Sequence, residues 1–387
     1  MSTEVMPQIH QRRGLGGRLY HGETAIDFYG RRWWGIAVSS ALLVVTFASL
    51  LFQGLNLGID FEGGVAWEVS ADNVSVNQAR SILDDHGING TDAKVQQRTS
   101  ASGSVLLIQV GDQSVAKRQE VQEALATRAN VPTESVSVTS VSSTWGRSIT
   151  EKAVRALIIF LILVALFIAW RLEWRMALSA IVAMLHDVLI SIGVYSVLRF
   201  EVTPATVVAF LTILGFSLYD TIVVFDKVKD NAERYSGARM PYADVVNVSM
   251  NQVLMRSINT TIAAVLPVLS LLILGAGVLG ATTLREFSLA LLVGLITGSY
   301  SSIFIASPLL AMLKEREPRY RMYRGSHATG AELERLVLGG SPAARRDAAR
   351  LRSETAADEV VLAATPTTPQ SLLTHPPRPR KKKRRTS

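Results

Sequence analysis

TVVAFLTILGFSLYDTIVVFD, residues 206–226, is apolar for about twenty positions, enough to cross roughly 30 Å of hydrocarbon at 1.5 Å per residue. Its one charged residue before the terminal aspartate is Asp220. An ionised carboxylate there costs about 2.5–3.5 kcal/mol on insertion scales. A group that expensive is kept with a partner, a protonation switch or a water-filled path around it. The stretch therefore points to a membrane-spanning helix and marks its own candidate for function.

Similar runs occur at about residues 34–56, 153–170, 176–198, 258–280 and 286–313, so a polytopic α-helical membrane protein with six transmembrane helices is expected. The 387-residue chain is 48% hydrophobic and 19% charged, with a mean hydropathy of +0.25, outside the range of a soluble domain. It has no cysteine, which excludes disulfides and thiolate metal sites. The first run follows more than thirty polar and basic residues and lacks a small-residue cleavage site, so it reads as an anchored span and not a signal peptide.

Arg12, Arg13, Arg18, Arg31 and Arg32 precede the first span, Arg171 and Arg175 separate the second and third, and Lys227, Lys229, Arg234 and Arg239 separate the fourth and fifth. By the positive-inside rule both termini are cytoplasmic, and the acid-rich segment between spans one and two is outside. From Arg319 onward there are 15 basic and 6 acidic residues, a surplus that accounts for the net charge of +8. The charge belongs to an appendage, which argues against a DNA-binding body. The tail ends in RPRKKKRR, 378–385. It reads either as a solvated disordered segment or as a ligand for anionic lipid or ribosomal RNA, at about 1 kcal/mol per basic residue near an anionic membrane.

The expected division is a cytoplasmic segment 1–33, a first helix 34–56, an extracytoplasmic α+β domain 57–150, helices two to six over 151–315 and a basic tail 316–387. Within 57–150, GVAWEVS, AKVQQRT, SVLLIQV and ESVSVTSVSS alternate like strands, and NQARSILDDHGI and AKRQEVQEALATRAN carry helical periodicity. The order β-α-β-β-α-β is the ferredoxin-like pattern. No Ser/His/Asp set, metal spacing or phosphate loop occurs in it. Contact is its expected work, and no catalytic residue, metal or cofactor is expected.

Four features surround Asp220. Arg256, taken to open the fifth helix, is the candidate counter-ion that keeps Asp220 ionised until a proton displaces it, with a positive-inside anchor as the alternative. Ser217 shares the face of Asp220, and Asn259 and Thr260 add polar groups on the fifth helix. His186 and Asp187 lie mid-way along the third helix, about 100° apart, so one is expected to face the fourth helix and the other a cavity or the headgroups. Ala290, Gly294, Gly298, Ser302 and Ala306 recur every fourth residue and give the sixth helix a small face for close packing. Beyond the first span, Gly58, Asp60, Phe61, Gly63 and Gly64 in GIDFEGG form a turn into the first strand.

GIDFEGG, HDV (186–188), GFSLYDTIVVFDKVKDN (215–231), NVSMNQVLMRSINTT (247–261) and LREFSLALLVGLITGSYSSIFIASPLL (284–310), set around the small β-α-β-β-α-β segment, closely resemble the SecF family. These are the smaller membrane subunits of bacterial SecDF protein-export complexes, in the resistance-nodulation-division (RND) superfamily. The likeness covers about residues 20–315. It implies proton-driven movement of an extracytoplasmic domain, with Asp220 and Arg256 on the proton path. It also implies a SecD partner, association with the SecYEG channel, and pulling of preproteins on the outer side of the bacterial plasma membrane. A complete RND transporter has two six-helix halves and two large outer domains, and this chain has one of each. Two other readings stay open: half of an RND-type small-molecule or lipid exporter, and a non-transporting scaffold whose buried charges are structural.

Overall fold

The computed structural model describes Gly17 and residues 24–100, 103–237 and 240–340. Among the described residues, six helices are long and apolar enough to cross a membrane. They are α1 (Arg32–Phe52), α5 (Ser143–Arg171), α6 (Trp174–Leu198), α7 (Pro204–Arg234), α8 (Tyr242–Ser270, continued by a π-helical stretch Leu271–Val278), and α9 (Thr282–Ser301). A π-helical turn at Ser302–Ala306 joins α9 to α10 (Ser307–Lys314) in one continuous span. Contacts divide the chain into Met1–Val337 and Leu338–Ser387. The basic run 378–385, Arg12, Arg13, Arg18 and Arg239 lie outside the described residues.

Between α1 and α5 come β1 (Asn56–Leu57), α2 (Ile59–Glu62), β2 (Gly64–Ser70), α3 (Val76–Asp85), β3 (Lys94–Ser100), β4 (Gly103–Val110), α4 (Val115–Ala129) and β5 (Ser137–Val141). Strands β3-β4-β2-β5 form one antiparallel sheet in that order. Helix α3 starts in a capping box of Ser75 and Gln78, and α4 ends at Asn130 in the left-handed region. The apolar faces of both helices meet the sheet in one core of Trp67, Leu83, Leu106, Ile108, Val121 and Leu125, all fully buried.

GIDFEGG makes the turn into β2 by a helical hook. Gly58 caps α2, and Gly63 and Gly64 then adopt φ of +79° and +133°. A Cβ on Gly64 would sit 2.2 Å from the Val110 carbonyl oxygen, and one on Gly63 2.7 Å from the Ser143 backbone nitrogen. Only glycine fits both demands. Strand β1 also pairs in parallel with a short strand absent from the sequence expectation, β6 (Glu201–Val202), between α6 and α7.

Two boundaries differ from expectation. Helix α5 begins at Ser143, so residue 150 lies inside it and the sheet ends at Val141. Its first turns, STWGRSITEK, are too polar for a hydropathy window. Helix α8 begins at Tyr242, and Arg256 is well inside it instead of opening it. Residues 242–251 are all buried, so protein and not lipid surrounds this end, and its Asn and Ser residues are tolerated there. Within it, Asn247 and Asn251 hold a strap at 26–29: Asn251 bonds both backbone groups of Ile26 at 2.8 Å, and Asn247 accepts from the Tyr29 N–H at 2.9 Å. By contrast, α5 exposes Ile158, Ile159, Ile162, Leu163, Leu166 and Phe167, a lipid-facing stripe.

Candidate functional site

Four helices converge on two aspartates. Helix α7, started by a Thr203–Thr206 capping box with Pro204 in its first turn, places Ser217 and Asp220 on one side, three residues apart. Helix α9 lies against that side with Gly294 and Gly298. A Cβ on Gly298 would come within 2.9 Å of the Ser217 Cβ, and one on Gly294 within 2.2 Å of Ile213. Ala290, Ser302 and Ala306 are fully buried on the same face. The small face thus brings the α9 backbone, and with it the serines at its end, up to the carboxylates.

Asp220 is half-buried and accepts from the Ser257 hydroxyl of α8 at 2.7 Å and the Ser302 hydroxyl at 2.6 Å. Asp187, 1% exposed, accepts from Ser217 and, at 2.8 Å, from Ser301. Its other oxygen lies 3.1 Å from His186 Nδ1. Ser301 and Ser302 are adjacent at the start of the π-helical turn, so one irregular stretch serves both aspartates. Thr260 and Thr261 each donate to the Ser257 carbonyl at 2.9 Å, and Thr261 also meets the Ser299 hydroxyl at 3.0 Å. A cavity of about 40 Å³ opens beside Asp220, lined by Ser217, Tyr219, Thr260, Thr261 and Ser299 among others. That is room for a water, which needs about 10–15 Å³ and polar partners.

The expected ion pair between Asp220 and Arg256 is not formed in this chain. Ser257 faces Asp220, and its neighbour Arg256, about 100° further round α8, is exposed, as is Asn259. His186 turns its ring towards α9 and its own neighbour. It is 6% exposed beside the Tyr300 ring, reaches across to its neighbour Asp187, and leaves Nε2 without a protein partner. Asp187 does face α7, and α9 as well. Ser257, Ser301 and the carboxylate-binding role of Ser302 were absent from the sequence expectation. The cue was available in GSYSS, 298–302, a hydroxyl cluster inside an apolar span. Among the described residues no group of His, Asp and Glu is arranged to hold a metal.

This arrangement suits proton exchange. A serine hydroxyl donates to a carboxylate and can rotate to accept from a carboxylic acid, so it satisfies either protonation state. A paired guanidinium can only donate, and holds the charge fixed.

The family described as "Protein export membrane protein SecD/SecF, C-terminal" matches residues 121–316, and "SecD/SecF GG Motif" matches residues 48–73, which include the glycine turn. The protein translocase subunit SecF of Streptomyces coelicolor is 43% identical over 79% of this chain and 82% of its own length. That of Mycobacterium tuberculosis is 42% identical over 88% and 78%. The crystal structure of SecDF, a translocon-associated membrane protein from Thermus thermophilus, superposes with a TM-score of 0.68 at 32% identity. The match covers 76% of this chain and 39% of SecDF, so this chain spans about two-fifths of that protein. SecDF in a super-membrane-facing form aligns over 78% of this chain with a TM-score of 0.54. The chain belongs to the SecF family of protein translocase subunits.

Proposed function

We propose that this chain is a proton-motive-force-driven subunit of the Sec translocation machinery, in which Asp220 and Asp187 exchange protons and the sheet domain moves in response. The observation that carries this is the hydroxyl coordination of two carboxylates at the meeting of four helices, one of them open to a water-sized cavity. One proton crossing 100 mV supplies about 2.3 kcal/mol, enough to bias a two-state element up to about fiftyfold per proton.

The half-exposed Asp220 and exposed Arg256 fit a site completed at an interface with a SecD-like second half, where Arg256 would enter the proton path. SecYEG and the translocating preprotein are the further partners. Both termini lie in the cytoplasm of a bacterial cell, and the chain is multi-pass in the plasma membrane, as the basic loops favour. Residues 64–141 form a ferredoxin-like domain on the outer side, a reading supported by the sheet order β3-β4-β2-β5 with every pairing antiparallel. The basic tail meets anionic lipid or ribosomal RNA.

Asp220→Asn in the SecD-containing complex tests the proposal. In inverted vesicles it should abolish the gradient-dependent part of preprotein translocation and spare the gradient-independent part. Undiminished stimulation would return the aspartate to a structural role, as in a scaffold.

A further inference from the structure

Where the sheet meets the helices, one side chain bridges two membrane elements. Arg98, on β3, places Nη2 2.8 Å from Glu201 of β6 and 3.4 Å from Glu286 of α9. The three side chains are only 14%, 7% and 15% exposed. Gln109 of β4 donates to the other Glu201 oxygen at 2.6 Å, and Lys94 of β3 bonds Glu62 at 2.8 Å and the Leu57 carbonyl at 2.9 Å. Lys94 and Gln109 reach only the β1–α2 hook and β6. Arg98–Glu286 is an ion pair between the sheet and α9, and α9 leads fifteen residues on, about 23 Å of helix, to Ser301 and Ser302.

The longer of the two Arg98 contacts is the one to α9. A cavity of about 420 Å³ adjoins it, lined by Arg98, Glu201, Thr282, Arg285 and Glu286 among others, with space for the guanidinium to swing. Carboxylates also outnumber the bridging cation. Asp60 lies close enough to Glu201 that burial first, and that charge second, push its carboxyl above the usual aspartate range.

We infer that Arg98 and Glu286 are the positioning residues that transmit the state of the Asp187–Asp220 site to the sheet domain, their contact opening when α9 shifts. The inference rests on the proposed proton-driven movement, but makes a conformational prediction of its own. A rigid helix carrying a site contact at one end and a domain contact at the other is a physical link, and coupling is what must be demonstrated.

The chain's lack of cysteine allows spin labels at Glu123→Cys on α4 and Leu284→Cys at the start of α9, both exposed positions. Distances are measured by pulsed electron resonance in the SecD-containing complex in lipid. Asp220→Asn should shift the ratio of two distance populations at least about fivefold. Glu286→Gln should favour the longer distance and leave Asp220→Asn without further effect, the non-additivity expected of coupled sites. Arg98→Lys keeps the charge, but its ammonium stands nearer the backbone than Nη2, the one nitrogen that meets both carboxylates, so the longer contact to Glu286 is lost first and the variant should behave likewise. The Arg98→Glu, Glu286→Arg exchange should restore part of the response. A full Asp220→Asn shift in Glu286→Gln and Arg98→Lys, or none in the otherwise unsubstituted protein, would overturn the inference. Translocation measured on the same complexes judges the proposed function separately: undiminished gradient stimulation in Asp220→Asn with the distance coupling intact would remove that function and leave the link standing.

Discussion

Asp187 and Asp220 are held by serine hydroxyls where the helices converge, whereas Glu201 is held by a guanidinium and an amide where the sheet meets the helices. Both regions bury carboxylates, and the difference is in the donors. A hydroxyl tolerates gain or loss of the proton with a rotation, whereas a guanidinium loses its counter-charge when its carboxylate is protonated. The first arrangement can switch; the second holds position and transmits force.

The contrast can be broken by exchanging its terms. The largest expected effect is on activity: Asp220→Asn removes the whole gradient-dependent increment of translocation. On stability the order reverses. Arg98→Gln leaves Glu201 buried without its cation and should cost about 3–5 kcal/mol in reversible unfolding in detergent. Ser302→Ala deletes one of two hydroxyls on Asp220 and should cost about 1–3 kcal/mol, with a larger change in the pH dependence of transport than in stability. If Ser302→Ala proved more destabilising than Arg98→Gln, the assignment of switch and clasp would be inverted.

A control lies at the opposite end of the helices, where the Tyr29 hydroxyl donates to Glu315 at 2.8 Å. Burial first, then this bond and the Glu315 charge, push the Tyr29 hydroxyl up to about 12. The other Glu315 oxygen is buried without a partner, so Tyr29→Phe strips the carboxylate of its one described donor and should cost about 1–3 kcal/mol without altering transport.

The smallest effect is at Asp60. Its folded value lies above the ordinary 3.8, so its stabilising share is complete below 3.8 and is lost as pH rises through the raised value. Asp60→Asn should therefore match the unsubstituted protein at low pH and be slightly more stable at neutral pH, as thermal melts at two pH values would show.

Asp220 was legible because hydropathy makes a charge in an apolar run conspicuous, and the small face of α9 because period four survives in the bare sequence. Glycines 63 and 64 were legible as a turn, though not as a hook packed against β4 and α5. The partner of Asp220 was misread because charge suggests charge: Arg256 was the cation nearby, and a one-residue difference in helix phase puts Ser257 there instead. Hydroxyl ligands carry no sequence contrast against an apolar helix, since serine is common in membrane packing faces. The Arg98 bridge was illegible for another reason. Its three members lie on β3, β6 and α9, separated by 103 and 85 residues, and only the fold brings them together. The N-terminal part of α8 escaped hydropathy because its asparagines are buried in protein and not in lipid.

The most direct measurement is the protonation of Asp220 itself. Infrared difference spectra of the complex in lipid, recorded across a pH titration, report the carbonyl stretch of a protonated carboxyl group. The account predicts a reversible band that disappears in Asp220→Asn and persists in Glu286→Gln. A spectrum in which Asp220→Asn removes no titrating band would contradict it.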